Sequence, residues 1–599
     1  MFMDNRARAA MLIAAALSLT VAGTAAAKPG GDQPGRGHGL DKPAFELTLL
    51  HNNDAESKLL TGDSTPNYGG AARFSTVLER VRADAARRER GDAPRRGTVL
   101  VSSGDNFLAG LNLSASFAKG VPWYDAIAFN FFGYDAATIG NHEFDFGPDR
   151  LAEFIRGTDR SVPFLSANRD VSAEPALAEL ERDGRIAAST IVRRQGERIG
   201  IIGLTTPDLP ILSSPRNVVV SAALAEAVNR EQRRVERRGA DIVILSSHLQ
   251  GLPSELALIP QLSGVDIVIA GGGDELLANP GDPLAANAGT PFSTYPYRDP
   301  ATGAKPTDAD GREVQVVTTA GELRYVGRLT AVFDKRGRVL EIDEEESLPV
   351  RVSGLPTDPD YAEKDPWIVQ YVEQPLLVYR AALDANVIAQ SGVALDGRNP
   401  DPIRRRESNL GNLVADAFLA TGNAQVAITN GGGIRNNSII PAGPISEGDT
   451  FDILPFDNLI VTVPDVPRDV FKGLLENGYS VLNAAGTGSG GRFAHIAGLR
   501  VVVDPTRPVG SRVVSAVLDD GTVIVAGGAV VAGPPLDVAT TDFLARGGDG
   551  YQFGRPFVST TVAYQRALYD YLTGPLAGQV TAAAYPAGGE DRIVITTDP

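Results

Sequence analysis

The stretch Ala136–Gly147 reads AATIGNHEFDFG, and it sets the pattern that decides the fold of the chain. A short apolar run ends there in a dense cluster of polar and acidic side chains. Four other apolar runs end in the same way, in the clusters 51–54 (HNND), 102–105 (SSGD), 246–248 (SSH) and 271–274 (GGGD). Buried strands of this kind belong to layered α/β domains, in which functional groups gather where strands end. We therefore expect an α/β fold with its polar clusters at one sheet edge.

The pattern extends outward into two predicted globular units. In the first, residues 44–355, helical periodicity lies between the strands, for example over 71–86 and 222–238. A segment rich in Pro and Asp, residues 355–366, leads into helical periodicity over 367–383, which Pro375 could kink. We place the predicted linker helix in residues 356–385. The second unit is predicted over residues 386–599, with strands at 425–429 and 459–463 and a helix at 410–420.

The composition excludes several classes of protein. The 599 residues are 43% hydrophobic and 22% charged, which is ordinary for a globular chain of more than one core. Lys and Arg number 56 against 73 Asp and Glu, a net charge of −17, which disfavours a nucleic-acid polymer as partner. The chain has no Cys, so disulfide scaffolds are excluded.

The N-terminus has the three parts of a secretory signal peptide. Arg6 and Arg8 precede the apolar run 9–22, and three alanines at 25–27 offer a cleavage site. The apolar run is too short to span a bilayer comfortably, and no later stretch is suitable. We expect residues 1–27 to be removed, residues 28–43 to form a flexible leader, and the protein to be periplasmic or secreted.

The polar clusters contain eight candidates for chemistry. Taken singly, a strand-end Asp is more often a helix N-cap or turn residue than a ligand. Several carboxylates on one sheet edge would, however, repel each other without a cation, and oxygen ligands with one imidazole suit divalent metals. Two such ions about 3.5–4 Å apart can clamp a phosphate and supply hydroxide for in-line attack. The candidates are Asp54, Glu56, Asp105, Asn141, His142, Asp145, His248 and Asp274.

The motifs D-x-E at 54–56, G-D-N-F at 104–107, G-N-H-E-F-D-F-G at 140–147 and S-H-L-Q-G at 247–251 resemble those of the calcineurin-like metallophosphoesterases. With the second unit included, the chain resembles the 5′-nucleotidase / UDP-sugar hydrolase family over nearly its whole mature length. This resemblance implies a four-layer α/β/β/α sandwich, a linker helix and a smaller α/β nucleotide-binding domain.

The resemblance also implies roles for residues of the first unit. His142 is implied as the acid that stabilises the transition state, and Asp145 as the carboxylate that orients it. The implied ligands of two divalent ions are Asp54, Asp105 (which bridges them), Asn141 and His248.

Two positions depart from the family pattern. Glu56 stands where the family usually has His, and the loop 270–274 (AGGGD) replaces a His-containing motif, so Gly272 falls at a second-ion His and Asp274 at the other ligand. One interpretation is a decayed site. The other is an oxygen-rich site in which Glu56 and Asp274 are ligands, which favours Mn²⁺, Mg²⁺ or Ca²⁺ over Zn²⁺ and moves the optimum pH upward. Occupancy of the second ion stays open because one ligand is missing.

Four motifs of the second unit match the family's nucleotide-binding domain: RRRESNLGNL at 404–413, NGGGIR at 430–435, LPF at 454–456 and FLARGGDGY at 543–551. The resemblance implies that Phe456 and Phe543 stack on the base and that Asp549 accepts hydrogen bonds from ribose hydroxyls. It further implies contacts to phosphate or other substrate oxygens from Arg406 and Arg435, and a ligand contact from Asn430.

The leading hypothesis is an exported metallophosphoesterase that releases phosphate from nucleoside 5′-monophosphates by attack of metal-bound hydroxide. A second hypothesis keeps the chemistry and changes the substrate to UDP-sugars, cyclic nucleotides or general phosphoesters. A third is a nucleotide-binding protein without catalysis.

Overall fold

The structure is a computed structural model that describes residues 42–61, 67–87, 94–286, 288–456 and 458–596. The predicted signal peptide, and the predicted leader up to residue 41, lie outside these ranges. An N-terminal region (residues 42–365) and a C-terminal region (residues 386–596) are joined by a helical segment. Within the described ranges, no helix combines the length and apolar character needed to cross a bilayer.

Alternating side chains along the strand Phe45–Asn52 decide how the first sheet of the N-terminal region is covered. Phe45, Leu47 and Leu49 belong to a core shared with a second sheet, whereas Leu50 packs with helices on the opposite face. The sheet has eight strands, in the order Val339–Ile342, Tyr325–Phe333, Phe45–Asn52, Arg95–Ser102, Ala136–Thr138, Phe164–Leu165 and Ile186–Ala187, with Leu348–Arg351 also pairing with Tyr325–Phe333.

The second sheet lies directly against the first. The Thr138 hydroxyl donates to the Ser246 carbonyl at 3.0 Å, and a Cβ at Gly203 would lie 2.4 Å from Leu165, so only glycine fits there. The five strands are Gln315–Val317, Ile267–Gly271, Ile242–His248 and Glu197–Thr205, which run parallel, and Ser189–Arg194, which is antiparallel at the edge.

Helices cover the outer faces of the two sheets. Ala71–Arg87, Tyr124–Phe132 and Pro148–Gly157 contribute to the core behind the first sheet, and Leu224–Arg237 packs behind the second. This confirms the predicted helices at 71–86 and 222–238 and the α/β/β/α layering. The remaining helices of the region are Leu111–Lys119, Pro175–Arg182, Leu209–Leu212 and Leu252–Leu258, with 3₁₀ turns at His142–Phe144 and Ile259–Gln261.

The joining segment carries a helix close to the one predicted over 367–383. Its helix starts at Pro366, where the Asp365 side chain accepts from the backbone N–H groups of Trp367 and Ile368 at 2.8 and 3.1 Å, and it ends at Ala385. A π-helical turn, Val369–Glu373, precedes Pro375, whose ring nitrogen cannot donate a helical hydrogen bond. The chain from Lys42 onward is one compact unit, so the domain boundaries stay predictions.

The C-terminal region is built on two five-stranded sheets. The predicted helix and two strands are confirmed as Asn409–Gly422, Val426–Asn430 and Leu459–Val466. One sheet has the order Ala494–Ala497, Val426–Asn430, Leu536–Thr541, Leu459–Val466 and Val558–Ala563; the other has Ala529–Val530, Val523–Ala526, Val513–Leu518, Leu499–Val503 and Ile593–Ile595.

Smaller elements complete this region. The short strands are Gly443–Ser446, Val387–Ser391 and Gln579–Val580 in one sheet and Leu395–Asp396 with Ile439–Ile440 in another. The other helices are Glu447–Ile453, Arg468–Tyr479, Asp542–Ala545 and Tyr564–Thr573.

Candidate active site

The strand ends of both N-terminal sheets meet at one buried point. Asp54 and Asp105 follow the adjacent parallel strands Phe45–Asn52 and Arg95–Ser102, and His248 ends a strand of the facing sheet. Ligand atoms of these three residues all lie within 4.8 Å of one another. A buried carboxylate pair with an imidazole is a donor set that can hold a divalent cation.

Two acidic residues at this sheet edge have an unusual backbone conformation. Asp54 and Asp105 both have positive φ, at 52° and 51°, which is rare outside glycine and is found where surrounding structure enforces it. Gly140 has to be glycine because a Cβ there would lie 2.2 Å from Oδ1 of Asp105. The Asp105 carboxylate therefore packs directly against the backbone of Gly140.

Glu143 ties the two loops together from within the core. Its buried carboxylate accepts from the backbone N–H groups of Asp105, Asn106 and Gly140 at 3.0, 2.7 and 2.7 Å. This residue was not among the candidates predicted from the sequence. Its place inside G-N-H-E-F-D is the signal that could have suggested a role, because a buried acid there needs several donors.

His248 is fixed so that one ring nitrogen faces the acidic oxygens. Its Nδ1 lies 2.7 Å from the Ser103 carbonyl, to which it donates, which leaves Nε2 2.9 Å from Oδ2 of Asp105 and 3.1 Å from Oδ1 of Asn141. Burial alone would lower the pKa of His248, but Asp105 and Asp54 raise it to about 10. The ring is thus surrounded by oxygen atoms that favour a positive charge at this point.

The residues present fit a divalent cation. Burial raises the pKa of Asp54 to about 7, opposed by His248 and reinforced by Asp105. By contrast, His248 and His142 lower the pKa of Asp105 to about 2 despite its burial. A cation among these oxygens would offset the burial of Asp54 and let that carboxyl ionise as well. Asn141 is fully buried, and among the described residues its Nδ2 has no hydrogen-bond partner. An amide held this way around its oxygen is typical of a ligand position.

His142 and Asp145 form a second pair beside this group. Nδ1 of His142 lies 2.6 Å from Oδ2 of Asp145, whose other oxygen accepts from the Ser213 hydroxyl at 2.7 Å. Burial lowers the pKa of His142, but Asp145 and Asp105 raise it well above its ordinary value. An imidazolium oriented in this way can donate a proton or stabilise developing charge.

Glu56 and Asp274 are not part of the three-residue group. Glu56 lines a cavity of about 790 Å³. Its pKa is raised well above the usual range, mainly by burial and secondly by the charge of Asp54. The Asp274 side chain is 86% exposed, and its nearest cation is Arg324, at 3.8 Å. The structure therefore places Glu56 within electrostatic reach of Asp54, whereas the Asp274 side chain lies in solvent.

The aromatic and polar candidates of the C-terminal region also come together in part. Asn430 Nδ2 donates to Oδ2 of Asp549 at 2.7 Å, and the Arg435 guanidinium lies 5.4 Å from the centre of the Phe456 ring. Phe456 and Phe543 are 41% and 43% exposed, so part of each ring is open to solvent.

Arg406 is not brought to this group. It pairs with Asp401 at 2.6 Å, its side chain is 58% exposed, and it lines a separate surface cavity with Arg405. Arg404 instead lies within electrostatic reach of Arg435 and Asp549, and in the described part of the chain its buried Nε has no hydrogen-bond partner. The sequence, with three consecutive arginines, does not indicate that Arg404 and Arg406 have different surroundings.

Residues of both regions line a cavity of about 790 Å³. From the N-terminal region it is lined by Glu56, Lys58 and Asn112, and from the C-terminal region by Arg435 and Phe456. This volume is within the usual range for small-molecule sites. A ligand in the cavity would touch both regions at once.

Known proteins share this architecture. A family model described as the 5′-nucleotidase, C-terminal domain, matches residues 387–555. The solved 5′-nucleotidase precursor from Thermus thermophilus is 31% identical with a TM-score of 0.57, covering 93% of this chain and 100% of that one. A probable 5′-nucleotidase of Treponema pallidum (strain Nichols) is 29% identical over 578 residues, 88% of this chain and 90% of that protein.

A longer relative also matches. The trifunctional nucleotide phosphoesterase protein YfkN of Bacillus subtilis (strain 168) is 28% identical over 542 residues. The match covers 85% of this chain and 32% of that protein, so the chain spans about a third of its length.

The fold, the buried acid–imidazole group and these similarities define a hydrolase that acts on phosphoesters of nucleotides. The chain belongs to the 5′-nucleotidase family.

Proposed function

We propose that the protein releases phosphate from nucleoside 5′-monophosphates with the help of two divalent cations. The observation that carries this proposal is the cavity between the regions, which has Glu56, two residues after Asp54, on one wall and Arg435 with Phe456 on the other. A nucleotide has a phosphate and an aromatic base at opposite ends, and it matches such a pair of walls.

The donor set determines where cations would be held. Asp54, Asp105, Asn141 and His248 would bind them, and Glu56, which lies within electrostatic reach of Asp54, would complete the first site. Asp274 would have to turn its exposed side chain inward to act as a ligand. Bound divalent ions neutralise phosphoryl charge and activate water. Since most of these donors are oxygen, we expect a preference for Mn²⁺ or Mg²⁺ over Zn²⁺ and an optimum above neutral pH.

His142 would donate its Nε2 proton to a phosphoryl or leaving oxygen. Asp145 accepts the opposite N–H of the ring, so the tautomer and the orientation are set before substrate binds. The Ser213 hydroxyl holds the second oxygen of Asp145 and limits rotation of that carboxylate.

Substrate recognition falls to the C-terminal region. Phe456 and Phe543 would stack on the base, and Asp549, steadied by Asn430, would accept from ribose hydroxyls. Arg435 and Arg404 would bind phosphate or other substrate oxygens. Arg406 stays a weaker candidate because it is engaged with Asp401.

The test is a phosphate-release panel on purified full chain with AMP, UDP-glucose, 2′,3′-cyclic AMP and p-nitrophenyl phosphate, each with Mn²⁺, Mg²⁺, Ca²⁺ or Zn²⁺. We expect the highest kcat/KM on AMP with Mn²⁺ or Mg²⁺. Highest kcat/KM on p-nitrophenyl phosphate or a diester would favour a general phosphoesterase. Binding of AMP without turnover in any metal would favour a non-catalytic nucleotide-binding protein.

Export is part of the proposal. It is supported by the basic start, the apolar run and the three alanines of residues 1–27. N-terminal sequencing of protein recovered outside the cytoplasm should begin at Lys28 or close to it. Protein that retains Met1 would contradict cleavage.

A further inference from the structure

The position where the family resemblance places an imidazole for the second ion has no room for a side chain. Gly272 has a φ of +83°, and a Cβ built there would lie 2.8 Å from Nε2 of His248. The Gly272 N–H instead donates to Oδ2 of Asp54 at 3.2 Å. A donor for the second ion has to come from another part of the site.

The space next to Gly272 is taken by the turn that follows His248. The same built Cβ would lie 2.9 Å from the backbone nitrogen of Gln250, which itself has a φ of +71°. This left-handed conformation is uncommon for a residue with a side chain, and such outliers cluster at functional sites. The turn thus carries Gln250 to the point that residue 272 leaves without a donor.

The Gln250 side chain reaches the ligand candidates directly. Its Nε2 lies 2.5 Å from Oδ1 of Asn141, and the same Oδ1 is 3.1 Å from Nε2 of His248. Polar atoms of three side chains converge there beside Oδ2 of Asp105, which is 2.9 Å from the His248 ring. Asn141 is fully buried, and its Nδ2 finds no partner among the residues that the structure describes.

We infer that Gln250 replaces the missing imidazole as a ligand of the second divalent cation, completing a set with Asp105, Asn141 and His248. This inference rests on the proposed function, because it assumes that the site holds divalent cations.

The chemistry of the amide allows the change. Rotating the Gln250 amide by half a turn exchanges Nε2 and Oε1, which have nearly the same shape. Two amide oxygens would repel each other at this distance unless a cation lies between them and draws both into its coordination shell. Adjacent ligands of an octahedral ion with bonds of about 2.1 Å are about 3 Å apart, so a small side-chain movement is enough.

A positioning role is the alternative. Gln250 would then remain a hydrogen-bond donor that orients Asn141 and would never touch the ion. The two roles differ in what a carboxylate at position 250 does. A glutamate can ligate a cation as well as glutamine or better, but when ionised it cannot donate to Oδ1 of Asn141.

The experiment measures cation binding rather than turnover. Full-length wild type, Gln250→Leu, Gln250→Glu and the control Gln261→Leu are titrated with Mn²⁺ by calorimetry, and bound Mn²⁺ is counted after dialysis. Gln261 is exposed and donates only to the Ala257 carbonyl at 3.2 Å, so it matches the change outside the site. Position 250 is itself exposed, so these variants should fold.

We expect two Mn²⁺ per chain for the wild type and for Gln261→Leu. Gln250→Leu should lower the affinity for the second Mn²⁺ by about 10- to 100-fold and leave the affinity for the first unchanged. Gln250→Glu should bind both Mn²⁺ ions. The inference is overturned if Gln250→Leu binds as the wild type does, if Gln250→Glu loses the second Mn²⁺ as Gln250→Leu does, or if the wild type binds one Mn²⁺ only. A wild type that binds no Mn²⁺, Mg²⁺, Ca²⁺ or Zn²⁺ would instead contradict the proposed function.

Discussion

The two walls of the proposed active site are built in opposite ways. On the N-terminal side, Asp54, Asp105 and His248 are buried, and both acids have positive φ. The two carboxylates accept from the backbone N–H groups of Gly272 and His142, and the His248 ring donates to the Ser103 carbonyl. On the C-terminal side, Phe456 and Phe543 are exposed. Atoms that react have to be placed before substrate arrives, whereas a stacking ring can adjust when it does.

This contrast leads to a rule for variants. Changes on the N-terminal side should lower kcat, because they remove interactions made in the transition state. Changes on the C-terminal side should raise KM for nucleotides, and changes to its stacking rings should spare substrates that have no base.

Asp105→Asn should have the largest effect. It keeps the shape of the side chain but removes the charge that lies 2.9 Å from Nε2 of His248, and we expect kcat on AMP to fall by about 10³-fold. Steady-state kinetics and Mn²⁺ content check this, with Asp159→Asn as a matched change at an exposed residue. Retention of kcat to within tenfold would show that the strand ends are not the reacting side.

His142→Ala should follow. The ring is outside the three-residue group but paired with Asp145, so we expect kcat to fall by about 10²-fold while Mn²⁺ content and the KM for AMP stay unchanged. The same assays report all three quantities. Loss of Mn²⁺ together with activity would mean that His142 supports the cation site instead of donating a proton.

How much of this could be predicted from the sequence differs between the walls. The N-terminal layering follows from apolar runs that end in polar clusters, because parallel strands bring their ends to one edge. What the sequence could not show was burial: Asp274 falls at the position of a family ligand, yet the loop carries its side chain into solvent. Gln250 was part of a quoted motif, but only the folded turn brings it to Asn141.

On the C-terminal side, motif order located the region but not every contact. The run Arg404–Arg406 offers three equivalent guanidinium groups to a reader of the sequence. A turn in which the Arg404 and Arg406 N–H groups bond to the carbonyls of Pro400 and Pro402 sends the side chains to different places. The direction of each arginine side chain depends on the backbone conformation of the turn, which composition and spacing do not predict.

Phe543→Ala tests the C-terminal wall with an intermediate effect. Loss of one stacking face should raise the KM for AMP by about tenfold and leave kcat and the hydrolysis of p-nitrophenyl phosphate unchanged. Phe292→Ala is the matched control, because Phe292 is 42% exposed and lies in the N-terminal region. An equal loss on both substrates would show that Phe543 is structural, and unchanged kinetics would remove it from the base site.

The smallest effect separates two neighbouring arginines. Arg404 has a buried Nε, and burial together with Arg435 lowers its pKa, so a substrate phosphate would relieve the unfavourable charge. Arg404→Ala should raise the KM for AMP about tenfold, the value of one charge-assisted hydrogen bond.

Arg406→Ala removes a side chain already paired with Asp401 and should change the KM by less than about twofold, as expected for an exposed ion pair. The two variants control for each other, since both delete one guanidinium from the same turn. If Arg406→Ala raises the KM for AMP more than Arg404→Ala does, the Arg406–Asp401 pair must open when nucleotide binds. The C-terminal wall would then rearrange around the substrate.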